Sequence, residues 1–123
     1  MKINELAKEA YSNAKAHGFW EDFERIQDVI DEIMYGKTKL SPSSIKTFKI
    51  NAICTRLMLI TGEVSEAMEG LRKNDLNNFK EELADVAIRL GDLCGGLGID
   101  LEEEIKKKME INKDRPYKHG KAF

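Results

Sequence analysis

The sequence predicts an all-α fold: a bundle of about five helices built around a central antiparallel helical hairpin. Three observations lead there. β-branched clusters are few and helix formers many. Two long segments carry apolar residues in steps of four and three. The segments are separated by a turn of very few residues, so they return antiparallel.

Residues 3–16 read as a first helix, ended by Gly18. Residues 20–34 read as a second, with Trp20, Phe23, Ile26, Ile30 and Ile33 at helical spacing. The stretch YGKTKLSPSS reads as a loop, and Ser41 before Pro42 opens the next helix, since proline is tolerated in a first turn. The third helix, about 42–72, carries Ile53, Leu57, Ile60, Val64, Ala67 and Leu71, a continuous stripe expected to be buried. Arg72 and Lys73 suit its C-terminus, and Asn74 and Asp75 supply turn and N-cap chemistry. The fourth helix, about 75–97, carries Phe79, Leu83, Val86, Leu90, Leu93 and Leu97, and Gly95, Gly96 and Gly98 are expected to stop it. Asp100 with Glu103 resembles a capping box for a fifth helix over about 101–112. The tail RPYKHGKAF reads as irregular.

A chain of 123 residues fits one domain, 1–123. With 41% hydrophobic and 34% charged residues its core is thin, so a homo-oligomer, dimer before tetramer, is expected. A net charge of −2 does not suit a nucleic-acid polymer as partner. No apolar run is long enough for a membrane, and MKINELAKEA does not read as a signal peptide, so a cytoplasmic location is expected. Cys54 and Cys94 fit no zinc spacing and read as two small buried hydrophobes. Residues 61–85 are acid-rich and 105–121 basic, a combination that suits a metal and a phosphate held together.

Glu63–x–x–Glu66 and Glu82–x–x–Asp85 each place two carboxylates on one helix face. Such pairs recur at Glu21/Glu24 and Asp28/Asp31, so one alone reads as solvated surface. Two features set these apart. At about 100° per residue, Glu63 and Glu66 lie roughly 80° and 140° from their apolar stripe, and Glu82 and Asp85 roughly 60° and 120° from theirs, in the same rotational sense. Glu66 lies eight residues before Asn74 and Glu82 eight after; Glu63 lies eleven before and Asp85 eleven after. A hairpin turning at Asn74 brings the four to matched levels, facing each other or both facing away. Facing carboxylates repel, so one or more stays protonated unless a cation intervenes. An oxygen-only set without Cys or His favours Mg²⁺ or Mn²⁺ over Zn²⁺. The other reading is an exposed acidic flank, and geometry alone leaves both open.

The segment GEVSEAMEGLRK, followed by EELADVAIRLGDLCGGLGIDLEEEIKKKMEINKDRPYKHGK, resembles the MazG-like nucleotide pyrophosphohydrolases of the all-α NTP pyrophosphatase superfamily. The family pattern of ExxE, ExxD and KxxxN is met by Glu63/Glu66, Glu82/Asp85 and Lys108/Asn112, over about residues 48–121. The resemblance implies that fold, and hydrolysis of a nucleoside triphosphate between its α and β phosphates. It implies Mg²⁺ on the four carboxylates, with Glu66 or Glu63 as general base through a water. Lys108 is expected at the phosphates and Asn112 at the sugar or base, with Arg115, Lys118 and Lys121 closing from the tail. Lys106 and Lys107 precede the motif and read as solvated.

Two positions stay open. The resemblance places an aromatic near Trp20 against the base, whereas the apolar pattern of the second helix makes Trp20 core or interface. Arg89 departs from relatives that carry an aromatic there; it meets phosphate or pairs with an acid. His17 reads as a helix-end residue. Among rival functions are a dUTPase-like or dCTP-directed activity of the same superfamily, and a non-catalytic helical oligomerisation or regulatory module. The first pair shares the carboxylates; the last keeps the stripes and needs no metal.

Overall fold

The computed structural model describes residues 2–34, 36 and 41–123, and within them it is all-helical, with no strand. Five α-helices follow one another: α1 (Ile3–Ala16), α2 (Glu21–Met34), α3 (Pro42–Arg72), α4 (Leu76–Leu97) and α5 (Leu101–Lys113). Half of the expected 35–44 loop, namely 35 and 37–40, lies outside the described residues, and 42–44 already belong to α3. No helix among the described residues is long and apolar enough to cross a membrane.

The ends of these helices follow from local chemistry. Ser41 caps α3 through its side chain, which accepts from the Ser44 N–H, with Pro42 in the first turn. At the other end of α3, the Asp75 N–H reaches the Gly70 carbonyl and the Asn74 N–H the Leu71 carbonyl, with Asn74 left-handed at φ 56°. This is a Schellman motif, with asparagine accepting the conformation glycine usually takes. Asp75 then caps α4 by accepting from the Asn78 N–H. Turn and cap thus occupy three residues, and the hairpin turns where the sequence placed it.

α4 ends differently from expectation. Gly95 and Gly96 lie inside the helix, and only Gly98, at φ 68°, terminates it. The two interior glycines serve close packing instead. A Cβ on Gly95 would meet the Ala7 carbonyl oxygen at 2.5 Å, and one on Gly96 would run into the Trp20 ring. α1 and the residue before α2 therefore settle directly on the α4 backbone. Beyond Gly98, Asp100 accepts from the Glu103 N–H, one half of the expected capping box. The other contacts at this end come from α1: Asn4 donates to Asp100 and accepts from the Glu102 N–H.

α4 is the central helix, packed between α3 and α1, while α2 lies on α3 and α5 on the start of α1. The buried apolar residues are few: Ala7, Trp20, Ile26, Ile45, Ala67, Leu93 and Cys94. Cys54, in contrast, is exposed, which corrects the reading of both cysteines as buried.

The stripe on α3 also needs correction. Its buried line runs through Ile45, Arg56, Ala67 and Gly70, with Glu63 largely covered beside it. That line is turned roughly 70° from the apolar stripe, towards the carboxylates. Leu57, Val64 and Leu71 are consequently left about half exposed, as is Leu83 of α4. Helical arithmetic puts Leu57 opposite Leu90, Val64 opposite Leu83 and Leu71 opposite Leu76, an apolar ladder on the reverse side of the hairpin. Periodicity announced an apolar face but not which half of it the chain itself would cover.

Candidate functional site

On the obverse side of the hairpin the carboxylates converge. Glu63 and Glu66 from α3 and Glu82 from α4 each offer an oxygen, all within 4.8 Å of one another. Of the two arrangements the sequence allowed, the helices therefore adopt the facing one. Glu82 stands across from both Glu66 and Glu63, so the meeting is less strictly paired by level than expected. Asp85 is not one of these three; it lies one turn further along α4, where with Glu63 it lines the wall of an adjoining cavity.

Charge in this cluster is unevenly compensated. Arg89, one turn beyond Asp85, donates from Nε to Glu63 Oε1. That guanidinium holds the Glu63 carboxyl below its ordinary value, against the opposing effect of burial. Among the described residues Glu82 has no such partner. Loss of water around it, and then the neighbouring Glu66 and Glu63 carboxylates, push its pKa up to about 7. Three carboxylates whose oxygens converge, with no thiol or imidazole among them, are a donor set that fits a hard divalent cation.

The cavity beside the cluster has a volume of about 580 Å³, within the usual range for small-molecule sites. Its walls come from the end of α1, the start of α2, and the facing sides of α3 and α4. Besides Glu63, Asp85 and Arg89 they include Asn13, Arg25, Arg56, Leu59, Ile88 and Asp92. None of these last six was singled out in the sequence. Asp92 carried a usable signal: it lies seven residues after Asp85, two turns along the same face, inside an otherwise apolar segment.

One wall is a tightly bonded knot. Arg56 makes a two-pronged pair with Asp22, at 2.9 and 2.7 Å, and also donates to the Ala52 and Phe19 carbonyls. Its guanidinium stacks 4.1 Å from the Trp20 ring centroid and 4.6 Å from that of Phe23. Trp20, only 3% exposed, donates from Nε1 to Asp92 at 2.7 Å and meets Tyr11 edge-on. Burial raises the Asp92 pKa, and the Trp20 N–H works against that rise. Arg56 lowers that of Asp22. Trp20 is thus packed as core, and a base could stack on it only by displacing Arg56 or Phe23. His17 accepts its helix-end role, with Nδ1 at 2.8 Å from the Asn13 carbonyl.

The basic residues of the C-terminal part stand elsewhere. Lys108 and Asn112 on α5, and Arg115 and Lys118 beyond it, are exposed, and none of them lines the cavity. Arg115 lies 3.2 Å from the His119 ring, and Lys118 lies over Tyr117. Lys106 and Lys107 pair with acids of their own helix, as solvated residues do. A single copy of the chain therefore assembles the acidic half of the expected site and leaves the α5 half apart from it. No family model, curated protein or solved structure matches this chain.

Proposed function

We propose that the protein is a Mg²⁺-dependent nucleoside triphosphate pyrophosphohydrolase of the MazG-like, all-α NTP pyrophosphatase kind. It converts a nucleoside triphosphate to the monophosphate and pyrophosphate, in nucleotide-pool control or the removal of non-standard nucleotides. The observation that carries this reading is the convergence of Glu63, Glu66 and Glu82 within 4.8 Å, at the rim of a cavity of nucleotide size.

In this reading Glu63, Glu66 and Glu82 hold Mg²⁺, or Mn²⁺ in its place, and Asp85 joins them from the cavity wall. The bound cation supplies charge neutralisation at phosphate oxygens and a more acidic water. Glu66 or Glu63 would serve as the general base toward an attacking water. Leu59, Ile88 and the Arg56 knot give the cavity fixed walls that exclude bulk water from the bound base and sugar. Lys108, Asn112, Arg115 and Lys118 approach the phosphates from a second copy of the chain, because on their own chain they stand off the cavity. The half-exposed ladder of Leu57, Val64, Leu71 and Leu83 supports such a homodimer or homotetramer. The same ladder is what favours the second reading, a non-catalytic oligomerisation module.

Pyrophosphate release from a panel of nucleoside triphosphates, dUTP and dCTP included, separates these readings. Release with Mg²⁺ and none with EDTA is expected, and the panel also identifies the base. Glu66→Gln and Glu82→Gln are expected to lower the rate more than about a hundredfold, beyond the loss typical of residues that only support metal ligands. No release from any nucleotide would sink the enzyme and leave the module.

A further inference from the structure

Arg89 occupies an unusual position. It is two turns beyond Glu82 and one beyond Asp85, so it shares their face of α4. Its bond to Glu63 uses Nε, which leaves both Nη groups outside that contact. The Glu63 oxygen it holds belongs to the same carboxylate that closes the three-glutamate cluster. The Arg89 side chain is 35% exposed and forms part of the cavity wall, whereas that of Glu63 is 12% exposed. One cation, that of Arg89, is thus already placed where a second, divalent one would bind.

We propose that Arg89 is exchanged between two anions. In the metal-free chain it holds Glu63; a divalent cation taken up by Glu63, Glu66 and Glu82 releases it into the cavity, where its guanidinium binds the phosphate chain of the substrate. The inference rests on the reading of these carboxylates as a cation site. Its physical basis is competition for one oxygen. A divalent ion at the cluster takes over the role of neutralising Glu63 and repels the guanidinium beside it. A planar guanidinium freed on the cavity wall is well shaped for two phosphate oxygens at once. Arg56 cannot act this way, because Asp22 and two carbonyls already accept from it and two rings cover it. The arrangement couples the order of binding: the site for phosphate becomes available when the cation is in place.

The test uses the full chain and three probes, Mg²⁺, Mn²⁺ and inorganic tripolyphosphate. In ¹⁵N spectra the Nε–H signal of Arg89, assigned by its loss in Arg89→Met, is expected to move towards that of a free arginine as Mg²⁺ is added. The movement should track metal occupancy, measured independently by competition with Mn²⁺. A signal that stays at its metal-free position at Mg²⁺ concentrations that displace bound Mn²⁺ overturns the exchange and leaves the cation site standing. Absence of any Mn²⁺ binding overturns both. Arg89→Met should bind Mn²⁺ about tenfold more tightly without tripolyphosphate, the scale of one lost charge contact at a half-buried site. Once loaded with Mn²⁺, it should bind tripolyphosphate about tenfold more weakly. Affinities that fall together would show a purely structural arginine and overturn the proposal.

Discussion

Of the arginines that line the cavity, Arg56 on α3 and Arg89 on α4 differ in how much of the fold depends on them. Around Arg56, α2, α3 and the turn before α2 are fastened together: Asp22, Phe19, Ala52, Trp20 and Phe23 all touch its guanidinium. Around Arg89 there is one partner, Glu63, and open cavity. The same side chain serves as a rivet where both Nη groups donate twice and burial is nearly complete. It is the candidate for an exchangeable contact where, among the described residues, only its Nε donates and the side chain lines the cavity. Burial and the number of partners, more than charge, separate a structural arginine from one available to a ligand.

The contrast is broken most sharply by Arg56→Ala. It removes the donations to the Phe19 carbonyl and the Asp22 carboxylate and uncovers Trp20, so a loss of about 3 kcal/mol is expected in urea unfolding. A loss no larger than that of a surface residue would show that the knot does not hold α2 in place. Gly96→Ala tests the same wall from behind. Its new methyl enters the Trp20 ring, and about 2 kcal/mol should be lost. If the variant is as stable as the wild type, Trp20 packs elsewhere in solution. On α4, Arg89→Met should change metal-free stability by less than about 1 kcal/mol, as expected for a part-exposed ion pair.

The smallest effect concerns acid. Asp22 has its pKa lowered by Arg56, so the pair contributes fully above the ordinary carboxylate value of 3.8. That contribution disappears as pH falls through the lowered folded value. Asp22 is about half exposed, which screens the effect. Asp22→Asn should accordingly lose stability less steeply than the wild type below pH 3.8. Superimposable acid profiles would remove the ion pair from the account of the knot.

The sequence made the helices and the acidic convergence legible because both depend on short-range regularities. Asn74 and Asp75 mark the turn, and once the turn is fixed, the spacing of Glu66 and Glu82 about it brings them to one level, while whether they face each other or both face away stays open in the sequence. The Arg56 knot was not legible. Its contacts join Asp22 to Arg56 and Trp20 to Asp92 across 34 and 72 residues, with no periodic signal to relate them. Gly95 and Gly96 misled for a related reason: a glycine that stops a helix and one that admits a neighbour look alike without the neighbour. The half-exposed Leu57 and Val64 show a third limit. Helical spacing identifies an apolar face, while its cover depends on where α1 and α2 come to rest.

The three-residue turn at Asn74 has a consequence for how this chain can change over generations. Each residue added to a helix-to-helix join rotates the second helix by about 100° and shifts it by about 1.5 Å. With Lys73, Asn74 and Asp75 all committed to a cap, no slack remains to absorb an insertion. Point substitutions around the turn can be tolerated by degrees, but a single-codon insertion rotates Glu82 away from Glu63 and Glu66. Lineages are therefore free to drift in composition here but not in length, and an indel at this turn marks a copy that keeps its helices and has given up the carboxylate cluster.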